Sequence, residues 1–291
     1  MRGATLTGFL AIAMWALLAL LTSIAGNVPV FQLMAMTFGI AAIGGIASWA
    51  CRPGAWNALK LPPVAWVVGV GGLFGYHFAY FTALANAPTV DASLIAYLWP
   101  LFIVLGSALM PGEYLKWHHV AGALLGLAGA GLIVTKGGSV SFDAHYAFGY
   151  LMAFGCALVW SVYSLLSRRL SAVPTDAVTG FCAATALLAL ICHMAFETTV
   201  WPAGAMQWAA VALLGLLPVG AAFFAWDFGV KRGNIQILGA ASYASPLLST
   251  IVLVLAGKAQ FTTSVILACL LITSGAVLAS KDMIVDTKAA S

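Results

Sequence analysis

Apolar residues run almost without interruption for about 20 positions at a time, and short polar breaks separate the runs. That length is what an α-helix needs to cross the hydrocarbon core of a bilayer. The runs predict spans at 6–25, 30–50, 63–85, 90–110, 118–136, 147–168, 175–196, 206–230, 235–256 and 262–280. The expected fold is an all-α membrane protein with ten transmembrane helices. The first span ends in Ser23-Ile24-Ala25, which resembles a small-x-small cleavage site. Its apolar core exceeds the roughly 7–15 residues of a signal peptide, and it has a counterpart later in the chain, so it reads as a true helix.

The polar breaks carry an orientation. With the N-terminus inside, the inside segments hold Arg2, Arg52, Lys60, Lys116, Arg168, Arg169, Lys231, Arg232, Lys281 and Lys288, against Lys136 and Lys258 outside. Short loops rich in Lys and Arg stay cytoplasmic, so both termini are expected in the cytoplasm. An odd number of helices destroys the alternation.

Composition sharpens the class. Of 291 residues, 63% are apolar and 7% charged, where soluble domains carry about 25% charged residues. A cytosolic enzyme or a pump with its own nucleotide domain is excluded, and no phosphate-cradling loop is present. The net charge of +4 is scattered, which gives no footprint for nucleic acid. Cys51, Cys156, Cys182, Cys192 and Cys269 contain no C-x-x-C pair and mostly sit in apolar runs. They read as small buried hydrophobes, with no metal or cofactor expected.

The chain also repeats itself. A shift of 146 aligns Tyr97-Leu98-Trp99-Pro100-Leu101 with Tyr243-Ala244-Ser245-Pro246-Leu247, and Phe78-Ala79-Tyr80 with Phe224-Ala225-Trp226. A shift of 145 places Trp15 on Trp160. Two five-helix halves, 1–140 and 141–291, are therefore expected. Five is odd, so the halves lie in opposite orientations. The charges agree, because uncharged Ala85-Asn86 falls opposite Lys231-Arg232, and Ser23-Ile24 opposite Arg168-Arg169. Inverted repeats are a transporter architecture, with substrate bound near the midplane between the halves.

Counting from span ends places Trp15, Tyr76, His77, Tyr80, Tyr97, Trp99, Trp160 and Tyr243 near mid-depth, with Tyr163 one turn beyond Trp160. Tyr and Trp normally gather at the membrane interfaces, so a mid-depth set points to a polar, aromatic-lined cavity. Pro100 and Pro246 cannot donate to the carbonyls of Ala96 and Ser242, which become candidate acceptors for a substrate ammonium. Pro218 reads as a kink. His77, the tyrosine hydroxyls and the indoles are candidate donors to a carboxylate. Asp227 is expected in an interfacial pair with Lys231, Asp91 in the first turn of helix 4, and no buried carboxylate is evident for proton coupling. Gly122 and Gly126, continued by Gly129, and Gly71 with Gly75, are expected packing seams.

The run Gly112-Glu113-Tyr114-Leu115, followed by Gly122 and Gly129-Ala130-Gly131-Leu132-Ile133, resembles the end of an EamA repeat of the drug/metabolite transporter superfamily. Trp15, Tyr76-His77-Phe78-Ala79-Tyr80 and Ala96-Tyr97-Leu98-Trp99-Pro100 resemble the YddG-type aromatic amino-acid exporters within it. The second half departs from the pattern, with Gly257-Lys258-Ala259 where the repeat has Gly-Glu, and helix 2 lacks the Lys or Arg common in relatives. The resemblance implies a non-enzymatic carrier in the bacterial inner membrane. Its partners are then membrane lipids and a small substrate, an aromatic or other neutral amino acid, and a monomer is favoured. The expected substrate-binding set is Trp15, Tyr76, His77, Tyr80, Tyr97, Trp99, Pro100, Trp160, Tyr163, Tyr243 and Pro246. Other readings are a carrier of another metabolite or a cationic drug, and a channel or non-transporting membrane subunit.

Overall fold

The computed structural model describes residues 2–138 and 142–281. The expected boundary at 140/141, Lys288 and the C-terminal end lie outside the described residues. All regular structure among the described residues is helical. Eight helices there are long and apolar enough to span a bilayer. They are α1 (Arg2–Ala25), α2 (Val30–Trp49), α3 (Pro63–Asn86), α4 (Thr89–Leu109), α5 (Trp117–Thr135), α6 (Ala144–Arg169), α7 (Thr175–Phe196) and α8 (Ala205–Arg232). A ninth element, α9, is a pair of helices, Ile235–Ala241 and Ala244–Leu255, bent by 40° at their junction. The last, α10 (Thr263–Ala279), is apolar but shorter.

Burial is distributed as lipid demands. Leu10, Ile43, Val67, Leu151 and Leu187 are exposed, whereas Ala11, Ala41, Ala123, Ala153 and Ala157 are buried. Lipid tails are as apolar as leucine, so helices gain most by close backbone approach at small residues. Four helix pairs pack most heavily, α5 with α10, α3 with α6, α2 with α7 and α1 with α8, while α4 lies chiefly against α6 and also meets α9.

The α5 seam falls where the sequence places it. A side chain added at Gly122 meets the Gly275 carbonyl of α10 at 2.5 Å, so the seam is intramolecular. The α3 seam does not. Gly71 faces open space and Gly75 touches only Val159, whereas Gly69 lies under Phe181 and Gly72 under Tyr163. The buried series Ala65, Gly69, Gly72, Ala79 and Ala83 follows helical spacing and turns the packing face away from Gly71.

Four spans are irregular. In α1 the Leu17 N–H bonds the Met14 carbonyl at 3.1 Å, and in α4 the Leu98 N–H bonds Ile95 at 3.1 Å, both tightened turns. The junction of α9 falls at Ser242–Tyr243. The breaks in α4 and α9 lie just before Pro100 and Pro246, because proline clashes with the carbonyl four residues back and disfavours the helical conformation of its predecessor. In α8 the ladder widens instead, into a π turn over Leu217–Ala221 that contains Pro218.

Candidate substrate site

The tightened turn in α1 follows Trp15, the break in α4 precedes Trp99, and the π turn in α8 precedes Trp226. These irregularities bring three tryptophans onto Trp160 of the continuous α6. Trp15 lies with its ring centre 5.7 Å from Trp160, 6.4 Å from Trp99 and 5.1 Å from Trp226. Trp99 lies 6.2 Å from Trp160 and 5.8 Å from Trp226, mostly edge to face, the arrangement that ring quadrupoles favour. Indole N–H groups are costly to leave unpaired in lipid. Trp15 Nε1 donates to the Pro218 carbonyl at 3.1 Å, and Trp226 Nε1 to Ser164 Oγ at 3.1 Å. The Ser161 hydroxyl donates to the Trp99 carbonyl at 2.9 Å, tying α6 to the break in α4.

A polar row adjoins the cluster on α3. Tyr76 lies 5.2 Å from Trp160 and stacks on Tyr80 at 6.0 Å, as i, i+4 neighbours on one face. Tyr97 is within electrostatic reach of both tyrosines. Tyr80 and Ser93 share a long hydroxyl contact at 3.5 Å. His77 packs edge-on to Phe38 at 5.2 Å and to Phe223 at 6.1 Å. Its Nδ1 lies 2.7 Å from the Leu73 carbonyl. A carbonyl only accepts, so Nδ1 carries the proton and the neutral ring presents Nε2 as an acceptor. The ring N–H expected to donate to a substrate is thus engaged by the Leu73 carbonyl. Tyr76, His77, Tyr80, Tyr97 and Trp15 are half-buried, whereas Trp99, Trp160 and Tyr163 are fully enclosed. Among the described residues no group of His, Cys, Asp and Glu is arranged to hold a metal ion.

Several expected site residues lie elsewhere. Tyr243 is enclosed in the α5·α10 packing beside Gly126, and its hydroxyl accepts from the Leu101 N–H at 3.1 Å. It caps the second half of α4 and does not face the tryptophans. The Ser242 carbonyl freed by Pro246 is retaken by the Ser245 N–H at 3.0 Å, so it offers nothing to a substrate. Pro246 and Pro100 are buried, the latter with its carbonyl against Gly239. Tyr163 touches Trp160 at 5.2 Å but its ring covers Gly72, which makes it packing. Trp226, Phe38 and Phe223 join the cluster without having been singled out. The repeat held a signal for two of them, since Trp226 falls opposite Tyr80 and Phe223 opposite His77.

The expected Asp227–Lys231 pair is present at 2.8 Å, and the protein encloses it. Thr175 donates to the same carboxylate oxygen at 2.7 Å, and Lys231 donates to the Val173 carbonyl at 2.9 Å. The segment before α7 folds over the pair and removes it from water. Asp91 is also buried, in the first turn of α4, accepting from the Tyr150 hydroxyl at 3.1 Å. Buried carboxylates therefore exist, contrary to the expectation, but neither touches the tryptophan cluster. Arg168 donates to the Val230 and Gly233 carbonyls at 2.9 and 2.8 Å and pairs with Glu113.

Comparison with known proteins completes the site's context. The EamA-like transporter family model matches residues 2–135 and again 147–281. The chain is 52% identical to the aromatic amino acid exporter YddG of Ancylobacter novellus over 278 residues, covering 95% of this chain and 96% of that protein. It is 27% identical to the probable terminal-alkyne amino-acid exporter of Streptantibioticus cattleyicolor, covering 82% and 84% of the two chains. A solved crystal structure, 52% identical, superposes with a TM-score of 0.93 over 96% of this chain and 97% of the other. This chain belongs to the EamA-like transporter family.

Proposed function

We propose that the protein exports aromatic and other neutral amino acids across the bacterial inner membrane by alternating access. It works as a monomeric carrier with ten spans, both termini cytoplasmic, and two inverted five-helix halves, 1–140 and 141–291. One observation carries this reading: half-buried Trp15, Tyr76, Tyr80, Tyr97 and His77, the last with Nε2 left to accept, sit against the enclosed tryptophan cluster, with no fixed charge among them. His77 Nε2 and tyrosine oxygens accept from the substrate ammonium, tyrosine O–H groups donate to its carboxylate, and the rings receive its side chain. Ring contacts of this kind contribute about 0.5–1.5 kcal/mol each beyond burial, which suits a weak, tolerant site. A cationic drug has aromatic faces here but no carboxylate to pair with, which favours the zwitterion.

Both ends are held by bonds between the halves, each by its own set. At the end rich in Lys and Arg, the halves are joined by Glu113–Arg168, by Arg52–Asp176 at 2.9 Å, and by Asn234 N–H to Thr5 Oγ1 at 2.9 Å. At the other end, the repeat equivalents of Arg168 and Glu113 are Ser23 and Lys258, joined by an exposed hydrogen bond of 2.9 Å, while the Glu197 carboxylate accepts from the Phe31 and Gln32 N–H groups at 2.9 and 3.0 Å and Asp91 accepts from the Tyr150 hydroxyl at 3.1 Å. Alternating access requires each set to separate in turn.

The test is uptake by purified protein in liposomes, with a panel of labelled amino acids competing against one another. Saturable flux of phenylalanine, tryptophan and other neutral amino acids is expected, falling severalfold in Tyr97→Phe and His77→Phe. Trp208→Ala, on the exposed surface, should transport normally. Absence of saturable amino-acid flux, or equal flux in all variants, overturns the reading.

A further inference from the structure

A cavity of about 710 Å³ opens away from the tryptophan cluster, between α2, the segment leading into α7, and α8. Its existence follows from small residues on both walls. Gly44 and Gly45 line it from α2, and Gly215 and Gly220 from α8, where the π turn leaves the ladder wide. Its volume falls within the roughly 300–1,000 Å³ of ligand sites.

The lining is amphipathic along its length. Ala41, Leu216 and Phe224 form an apolar wall, and Arg52, Asp176 and Arg232 stand at one end. Arg52 is held by Asp176 at 2.9 Å and by Ser48 Oγ at 2.7 Å. Arg232 lies over the Phe228 ring at 5.4 Å and makes no ion pair among the described residues. Two guanidinium groups against one carboxylate leave the charged end positive. The one carboxylate there, Asp176, is already paired with Arg52, so a cation or the ammonium of a zwitterion finds no unpaired partner. An anion with an apolar tail matches both parts.

We propose that this crevice binds an anionic membrane lipid, its phosphate on Arg232 and Arg52 and one acyl chain along the glycine-lined wall of α2 and α8. In the orientation proposed above, the charged end lies in the cytoplasmic leaflet, where anionic lipid is concentrated. The same π turn faces the site from its other side, since the Pro218 carbonyl holds Trp15 and Phe223 touches Trp160 at 5.8 Å. Filling the crevice therefore braces the turn that positions the tryptophans.

The full chain, stripped of lipid in detergent, is offered phosphatidylglycerol and phosphatidylcholine, and retained lipid is counted by native mass spectrometry. Preferential retention of phosphatidylglycerol is expected, weakened about fivefold by Arg232→Gln. Gly44→Leu, which fills the cavity from a position with no neighbour nearer than 3.9 Å, should lose the preference with both arginines intact. Gly71→Leu, on open surface, should keep it. Equal retention of the two lipids, or a preference unchanged in Arg232→Gln and Gly44→Leu, overturns the proposal. So does displacement of the lipid by inorganic phosphate at comparable concentration, which assigns the site to a soluble anion. Flux into vesicles containing phosphatidylglycerol should exceed flux into phosphatidylcholine alone for the parent chain and not for Gly44→Leu; equal flux overturns the bracing. Lipid is counted directly, so failure of the binding arm leaves the exporter reading untouched.

Discussion

The α3·α6 pair and the α1·α8 pair approach the tryptophan cluster from two sides, one with regular helices and the other with interrupted ones. The α-helices of α3 and α6, Pro63–Asn86 and Ala147–Arg169, run unbroken for 24 and 23 residues. They meet ring against glycine, Tyr163 over Gly72, and backbone against glycine, the Asn86 carbonyl at Gly149. In the other pair α1 tightens after Trp15, α8 widens at Leu217–Ala221, and the Trp15 indole bonds across from one irregularity to the other. The contrast separates two ways of holding a membrane bundle. Regular helices leave no backbone group free, so they are held by fit and are damaged by added volume. Interrupted helices free backbone carbonyls, so they are held by side-chain donors and are damaged by losing one.

Removing the ring that both pairs share should have the largest effect. Trp226 is fully buried, and Trp226→Ala should lower stability by about 3–5 kcal/mol, read as a large drop in melting temperature in detergent. Trp208→Ala, on an exposed ring, should leave it unchanged. Next comes added volume in the regular pair. Gly72→Ala forces a methyl into Tyr163 and should lower stability by about 1–3 kcal/mol, whereas Gly71→Ala, one residue away in open space, should not. Equal effects at the two glycines break the comparison. The loss of one donor follows. Trp15→Phe keeps a ring but abandons the Pro218 carbonyl, lowering stability by about 1 kcal/mol and cutting flux by more than that loss of fold explains. The smallest effect is expected for Tyr163→Phe, because its ring is what covers Gly72; unchanged stability and flux mark it as packing, and a strong flux defect returns it to the site.

Much of this was readable in the residues, and the failures have specific causes. Counting along near-continuous apolar runs placed Trp15, Trp99 and Trp160 at one level, and their rings do meet. Trp226 could not be placed this way, because α8 runs 28 residues, about 42 Å at 1.5 Å per residue, and a helix that long tilts, so depth counted from its ends misleads. Tyr243 lies on a face turned from the tryptophans, since a helical face cannot be projected through a 40° bend. The Ser242 carbonyl was correctly seen to lose its proline partner, but a tightened turn supplies another donor from Ser245. Spacing revealed the Asp227–Lys231 pair. Its burial depends on Thr175 and Val173, more than 50 residues distant, which no local pattern reveals.

The uncharged row on α3 has an electrical consequence. A membrane potential does work only on net charge crossing it, about 2.3 kcal/mol per elementary charge per 100 mV. Rings, hydroxyls and a neutral imidazole add no charge of their own, and an amino-acid zwitterion brings none. The loaded carrier is then blind to voltage, and the inward-negative potential that draws cations into a bacterium neither helps nor opposes it. In the carrier proposed above, with no coupling ion, net flow is expected to follow the ratio of concentrations. Such a carrier would act as a relief valve, emptying the cell when the internal pool exceeds the external one and coming to rest when the two are equal. Flux measured in liposomes held at different potassium diffusion potentials should superimpose.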